Sequence, residues 1–232
     1  MSTKPNTYLL HEGKTENGER FGVFATLRSK NIKTGNMIQL ACILLDHHPV
    51  AAVQSGLDAA TVCQGCPFAS GNGCYVEVGK SVASIWNAWK RGNVPMLPKD
   101  KWEETFTGRM VRFGSYGNPS LIPLAIVRKI ARLSNGWTGY FHDWHLMTSK
   151  RARAYGEFFM ASTDTVASYT RAQEIGLRTF HVGKCKDGDV LCPSESHGIN
   201  CIDCQLCKGT SVNAKSIFIP PHGGKKGKIK SE

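Results

Sequence analysis

Met37-Ile38-Gln39-Leu40-Ala41-Cys42-Ile43-Leu44-Leu45 is an almost unbroken apolar run of strand length. A run of that kind belongs to a strand covered on both faces, as in parallel sheets. Shorter relatives recur at residues 109–113, 137–141, 158–162 and 179–182. Between them lie segments of helical character: 120–133, with Pro123 tolerated in a first turn, and 166–175, capped by Asp164 or Thr165 and stopped at Gly176. Residues 78–92 form a further amphipathic helix, with Val82, Ile85, Trp86 and Trp89 on one face.

Strands that alternate with helices over short connections build parallel βαβ units. Five strands are expected between residues 37 and 182, and Ser216-Ile217-Phe218-Ile219 supplies a possible sixth. The fold class expected is therefore α/β, an incomplete TIM-like (βα) barrel, because the chain is too short for eight units. A doubly wound sheet is the alternative, since periodicity does not distinguish a closed sheet from an open one. Residues 1–36 are expected as an N-terminal extension, 37–184 as the barrel core, 185–223 as a cysteine-rich metal-binding segment and 224–232 as a basic tail.

A chain of 232 residues buries a core without covalent staples, so its nine cysteines need another explanation. The polar N-terminus and the lack of any long apolar run lead to the expectation of a soluble, cytoplasmic protein with no membrane association. In that compartment closely spaced cysteines hold metals or clusters more often than they form disulfides. Cys63, Cys66 and Cys74 are spaced C-x2-C-x7-C in the loop that follows the first buried strand. Cys201, Cys204 and Cys207 are spaced C-x2-C-x2-C, with Cys192 and His222 as candidates for a fourth ligand. Thiolates at that spacing suit zinc (Zn2+) or a second iron–sulfur cluster. Cys42 is expected in the core, and Cys185 as a spare thiol or an alternative ligand.

In a parallel barrel the polar residues at the carboxyl ends of the strands share one face. That face would collect Asp46, the Cys63–Cys74 loop, the turn Gly114-Ser115-Tyr116-Gly117-Asn118-Pro119, His142, Asp143, His145, Ser162 and Asp164. Each has a plainer role available: a turn at the glycines and at His48-Pro49, a cap at Asp164. Gly79-Lys80-Ser81 is no phosphate loop, because the first glycine of that motif would fall on Cys74. The His-x-Glu and Pro-Cys-x2-Cys halves of a zinc deaminase are both missing.

A cysteine triplet after a buried strand, with Tyr75 beside the last thiol, then helix, strand and a glycine-rich turn ending in Pro119, resembles the radical S-adenosylmethionine superfamily over residues 37–182. The resemblance implies that Cys63, Cys66 and Cys74 hold a [4Fe-4S] cluster with one iron open to S-adenosylmethionine. It implies that residues 114–119 (Gly114, Ser115, Tyr116, Gly117, Asn118 and Pro119) form the cofactor turn and that Ser162 and Asp164 face the cofactor. The cysteine spacing differs from the superfamily's usual C-x3-C-x2-C, and Asn118 stands where its turn carries an acid. The chain also resembles phage-encoded proteins with a Cys-Tyr-Val element, which would place it in a host cytoplasm.

The late cysteines with His222 resemble the zinc site of tRNA-guanine transglycosylases and of similar phage enzymes acting on DNA. That resemblance implies Asp164 or Asp46 as nucleophile on a glycosidic carbon. A net charge of +11 points to nucleic acid as partner, with Lys225, Lys226, Lys228 and Lys230 in a tail read as disordered. The leading expectation is radical chemistry on a nucleic acid or nucleotide, with His142, Asp143, His145 and Arg112 as substrate contacts. Base exchange is the first alternative, and a non-enzymatic, metal-stabilised nucleic-acid-binding protein the second.

Overall fold

The computed structural model describes residues 5–185, 188–221 and 226–229. His222, expected as a candidate ligand, lies outside them, as do Lys225 and Lys230. Nine strands among the described residues form one sheet. They are β1 (Thr7–Lys14), β2 (Arg20–Thr26), β3 (Ile38–Leu44), β4 (Met110–Tyr116), β5 (Gly136–Phe141), β6 (Met160–Thr163), β7 (Thr179–Val182), β8 (Val190–Leu191) and β9 (Ile217–Ile219). Across the sheet the order is β1-β2-β3-β4-β5-β6-β7-β9-β8. The first three strands are antiparallel and every later pairing is parallel.

The protein is thus α/β with a mostly parallel sheet. From β3 to β7 the strands follow one another in chain order, without the reversal that makes a switch point in a doubly wound sheet. Residues 7–26, expected to precede the core, instead add β1 and β2 to the same sheet. Strand β1 is an edge strand whose buried apolar residues are Leu9 and Leu10, which leaves little alternation for a sequence reading to find.

The long crossover from β3 to β4 carries α1 (Pro49–Ser55), α2 (Leu57–Ala60), the cysteine loop, α3 (Ser81–Lys90) and α4 (Trp102–Phe106). His48 caps α1, its Nδ1 accepting the Val50 N–H at 3.3 Å, so the turn role of His48-Pro49 holds. The later crossovers carry α5 (Leu124–Leu133), α6 (Ser149–Gly156) and α7 (Val166–Glu174). Thr165, not Asp164, caps α7, in a reciprocal box with Ser168. The last crossover carries α8 (Pro193–Ser196) and α9 (Cys201–Cys204).

Successive residues of a strand point to opposite faces of the sheet. Phe141 and Ala161 therefore enter the main core, with Val127 and Ile130 of α5 and Tyr155 of α6. Their neighbours Tyr140 and Met160 enter a second cluster on the other face, with Phe180, Ile217, Cys192 and Cys207. The cysteine-rich segment packs against that second face, and the candidate site lies there.

Candidate metal centre

The end of β4 departs from a regular ladder. Gln39 pairs with Arg112, but Ala41 pairs with Tyr116, so β4 carries two more residues than β3 between the same rungs. Residues 114–116, expected in a turn, are a bulged strand end, and Gly114 takes φ +70° there. Ser115 Oγ donates to the Leu40 carbonyl at 3.0 Å. At Gly117 (φ +72°) a Cβ would meet the Cys42 carbonyl oxygen at 2.6 Å, so only glycine lets the chain pass so close to β3.

Asn118 is 2% exposed and joins three segments. Its backbone N–H donates to Val62 O at 2.7 Å, its Nδ2 to Gln64 O at 2.6 Å, and its Oδ1 accepts the His142 N–H at 3.0 Å. The cysteine loop, the end of β4 and the end of β5 are thereby fixed to one another. Buried Asp58 holds the far side of the loop, accepting Ser70 Oγ–H at 2.6 Å. Gly65 completes the docking, since a Cβ there would stand 3.0 Å from the Asp143 Cα.

The loop presents its sulfurs to N–H and O–H donors. Cys63 receives the Gly117 N–H and the Tyr116 hydroxyl, while Cys66 receives the N–H groups of Phe68 and Ala69. Burial pushes the Cys63 thiol well above its ordinary pKa, with Cys66 adding to the rise. Burial likewise pushes Cys66 up to about 12, against the pull of those N–H donors. Both are neutral thiols at pH 7 in the absence of a cation, and hydrogen bonds of this kind favour a thiolate once a cation arrives.

Cys63, Cys66 and Cys74 line one cavity of about 360 Å3. Gly114, Ser115, Tyr116, Gly117 and Asn118 also line it, as do His142 and Ser162. Seven of the residues expected at the cofactor turn or the strand ends and the three thiols thus line one space. Burial pushes His142 down to about 4, helped by the neighbouring charge of His145, and its buried Nδ1 has no hydrogen-bond partner.

The expected carboxylates do not join them. Asp46 pairs with Arg20 at 3.3 Å on the exposed end of β3. Asp143 is buried and accepts Ser120 Oγ–H at 2.8 and 2.7 Å; burial raises its pKa, and this hydrogen bond opposes the rise. Asp164 is near enough to raise the Cys66 thiol's pKa but does not line the cavity. Pro119 is buried under Gly114. No Asp or Glu occurs among the described residues that line the cavity. A strand-end position does not fix side-chain direction, which is why the sequence groups these acids with the thiols.

Other lining residues escape a sequence reading: Lys33 from the turn before β3, Tyr140 and Phe180 from the inner face of the sheet, and Ile229 from the tail. Pairing of Arg112 with Thr138, Tyr140 with Met160, and Ser162 with Phe180 puts these residues on one face. Period-2 spacing is the signal that finds them. Ile229 packs on Gly73, so this part of the tail is seated against the cysteine loop.

The second cysteine set surrounds a space of about 10 Å3 lined by Cys192, Cys201, Cys204 and Cys207. Every pair of these four thiols is electrostatically coupled. Cys204 receives the Leu206 N–H, and Cys207 receives the Tyr140 hydroxyl. Burial pushes Cys207 up to about 12. Cys201 also lines the larger cavity, so the two cysteine sets share a wall. Cys185 is exposed and Cys42 is in the core. Among the described residues no group of three or more His, Cys, Asp or Glu side chains is gathered closely enough to hold a metal ion as it stands.

Comparison with known proteins finds no matching family model, no matching curated protein and no matching solved structure. No described helix is long and apolar enough to cross a membrane.

Proposed function

We propose that this protein is a metalloenzyme in which Cys63, Cys66 and Cys74 hold a [4Fe-4S] cluster that acts with S-adenosylmethionine on a nucleotide or nucleic acid. One observation carries the reading: the three thiols open onto the same cavity as the backbone of residues 114–118. A three-thiolate set would leave one iron without a protein ligand, on the side where residues 114–118 line the same space. A cluster held there by Cys63, Cys66 and Cys74 would supply one-electron reducing chemistry to S-adenosylmethionine bound beside it.

The chain's own residues do the rest. Tyr116 and the Gly117 N–H stabilise the Cys63 thiolate, Asn118 fixes the loop against β4 and β5, and Ser162 stands at the cavity wall. The one-directional strand order supports reading the sheet as a partial (βα) barrel with its chemistry at the strand ends. In the second set, Cys192 is the fourth ligand beside Cys201, Cys204 and Cys207, for zinc or an auxiliary cluster; its place at the shared space supports this.

Base exchange is the weaker reading, because its nucleophile would be a carboxylate and none lines the cavity among the described residues. The net charge of +11 supports a polyanionic partner. Anaerobic purification with iron, sulfide and zinc analysis and a visible spectrum tests the proposal. Iron and sulfide equivalent to one cluster that are lost in Cys66→Ser and retained in Cys204→Ser support it. A colourless protein with zinc and no sulfide overturns it.

A further inference from the structure

Arg112 is placed where a cation is costly. It is 7% exposed, on the cavity face of β4, and no carboxylate among the described residues pairs with it. Its hydrogen bond runs from Nη2 to the Tyr75 hydroxyl, a neutral group. No nitrogen of Arg112 is among the buried polar atoms that lack a partner, so its N–H groups beyond the Tyr75 bond reach accessible space on the cavity side, where an anion would accept them.

The neighbouring groups narrow the anion's class. Tyr75 is 47% exposed, and the Arg112 guanidinium carbon lies 6.0 Å from its ring centre. Tyr140 and Phe180 add two more rings to the wall, 4.3 Å apart between centres. At the rim, Lys33 is already paired with Glu195 at 2.7 Å, so Arg112, whose ionisable neighbours are the Cys201 thiol and the Tyr75 and Tyr140 hydroxyls, is the lining cation with no carboxylate among the described residues. The volume of about 360 Å3 falls in the range of small-ligand pockets and is too small for a duplex.

We infer that Arg112 is the phosphate-binding residue of this cavity and that Tyr75 is the stacking platform for the base of the same nucleotide. The planar fork of arginine matches phosphate oxygens in pairs, and an aromatic face accepts any base. The inference rests on the reading that this cavity is the reaction chamber, and it names the substrate class of that site.

Calorimetric titration of the full-length protein with AMP, adenosine and S-adenosylhomocysteine tests it. The three probes share a base but carry a phosphate, no anion and a carboxylate. AMP is expected to bind more tightly than adenosine, by about 10-fold or more, the worth of a charged hydrogen-bond pair. Arg112→Gln is expected to remove that preference and leave adenosine unchanged, Tyr75→Ala to weaken both, and Lys33→Gln at the rim to change AMP binding less than about 3-fold.

If Arg112→Gln does not fold, the preference for AMP over adenosine in the unaltered chain and in Arg112→Lys still decides the matter. Equal binding of AMP and adenosine overturns the inference. So does a preference for S-adenosylhomocysteine alone, which would make the partner a carboxylate. An Arg112→Gln protein that loses its metal yet keeps the AMP preference also overturns it, since Arg112 would then serve only to balance the thiolates around Cys201. Iron and sulfide measured on the same samples separate the two proposals: a colourless protein that prefers AMP sinks the radical reading alone, and an iron-loaded protein without the preference sinks the phosphate site alone.

Discussion

Asn118→Asp is the substitution that most sharply tests how the cysteine loop is held. It changes one NH2 group into an oxygen, at the buried junction of the cysteine loop with the ends of β4 and β5. Both partners of the Asn118 side chain are backbone groups of fixed polarity: the Gln64 carbonyl can only accept, and the His142 N–H can only donate. An ionised carboxylate would set oxygen against oxygen at the 2.6 Å contact with Gln64. The loss of one buried hydrogen bond is worth about 1–1.5 kcal/mol, and an unsatisfied, repelled acceptor adds about 1–3 kcal/mol. A penalty of about 2–4 kcal/mol is expected at pH 7.

The protonated acid can donate to Gln64 and so restore the bond, which raises the introduced group's folded-state pKa above its unfolded value near 3.9. The variant is then close to wild type below about pH 4, and its penalty grows by up to about 1.4 kcal/mol per pH unit until the folded-state pKa is passed. Urea denaturation of wild type, Asn118→Asp and Asn118→Ala from pH 4 to 7 measures this directly. The alanine variant should lose about 2–3 kcal/mol at every pH, having lost both bonds. An aspartate variant as stable as wild type at pH 7, or one whose penalty ignores pH, would refute the account.

Gly117→Ala should destabilise the fold by more than about 3 kcal/mol, because a left-handed backbone and a backbone collision at 2.6 Å coincide. Gly92→Ala, at a similar φ of +74° with nothing within 4 Å, should lose only about 1–2 kcal/mol; equal losses would show that the approach to Cys42 is not tight. Metal loading of the protein in weak buffer at pH 7 should release about one proton per thiol ligated, since burial keeps Cys66 and Cys207 protonated until then; an indicator dye reads the release. In the metal-free protein the His142 ring is held neutral, with a pKa near 4 folded against 6.5 unfolded. Its stabilising contribution is whole above pH 6.5 and is lost as pH falls toward 4, amounting to at most about 3 kcal/mol. His142→Asn should flatten that part of the stability profile, and an unchanged slope in thermal melts would count against it.

The sequence by itself determined the local and periodic features of this protein. Apolar runs of strand length gave β3, β4, β5, β6 and β7, since burial on both faces requires them, and Gly176 marked the end of α7. The C-x2-C spacing placed Cys63 and Cys66 in one loop because chain connectivity alone keeps them close. Edge strand β1 escaped it, because only Leu9 and Leu10 there answer to the core.

Only the tertiary structure decided which strand-end residues meet. Asp46 turns outward to Arg20, whereas Arg112, Tyr140 and Phe180, far apart in the chain, share one inner face. The role of Asn118 depended on partners 54 and 24 residues away. The cause is physical: pleating fixes the face a side chain takes within its own strand, but what lies opposite depends on how distant segments dock. The cavity between the cysteine loop, the sheet and the late cysteines exists only once they have docked.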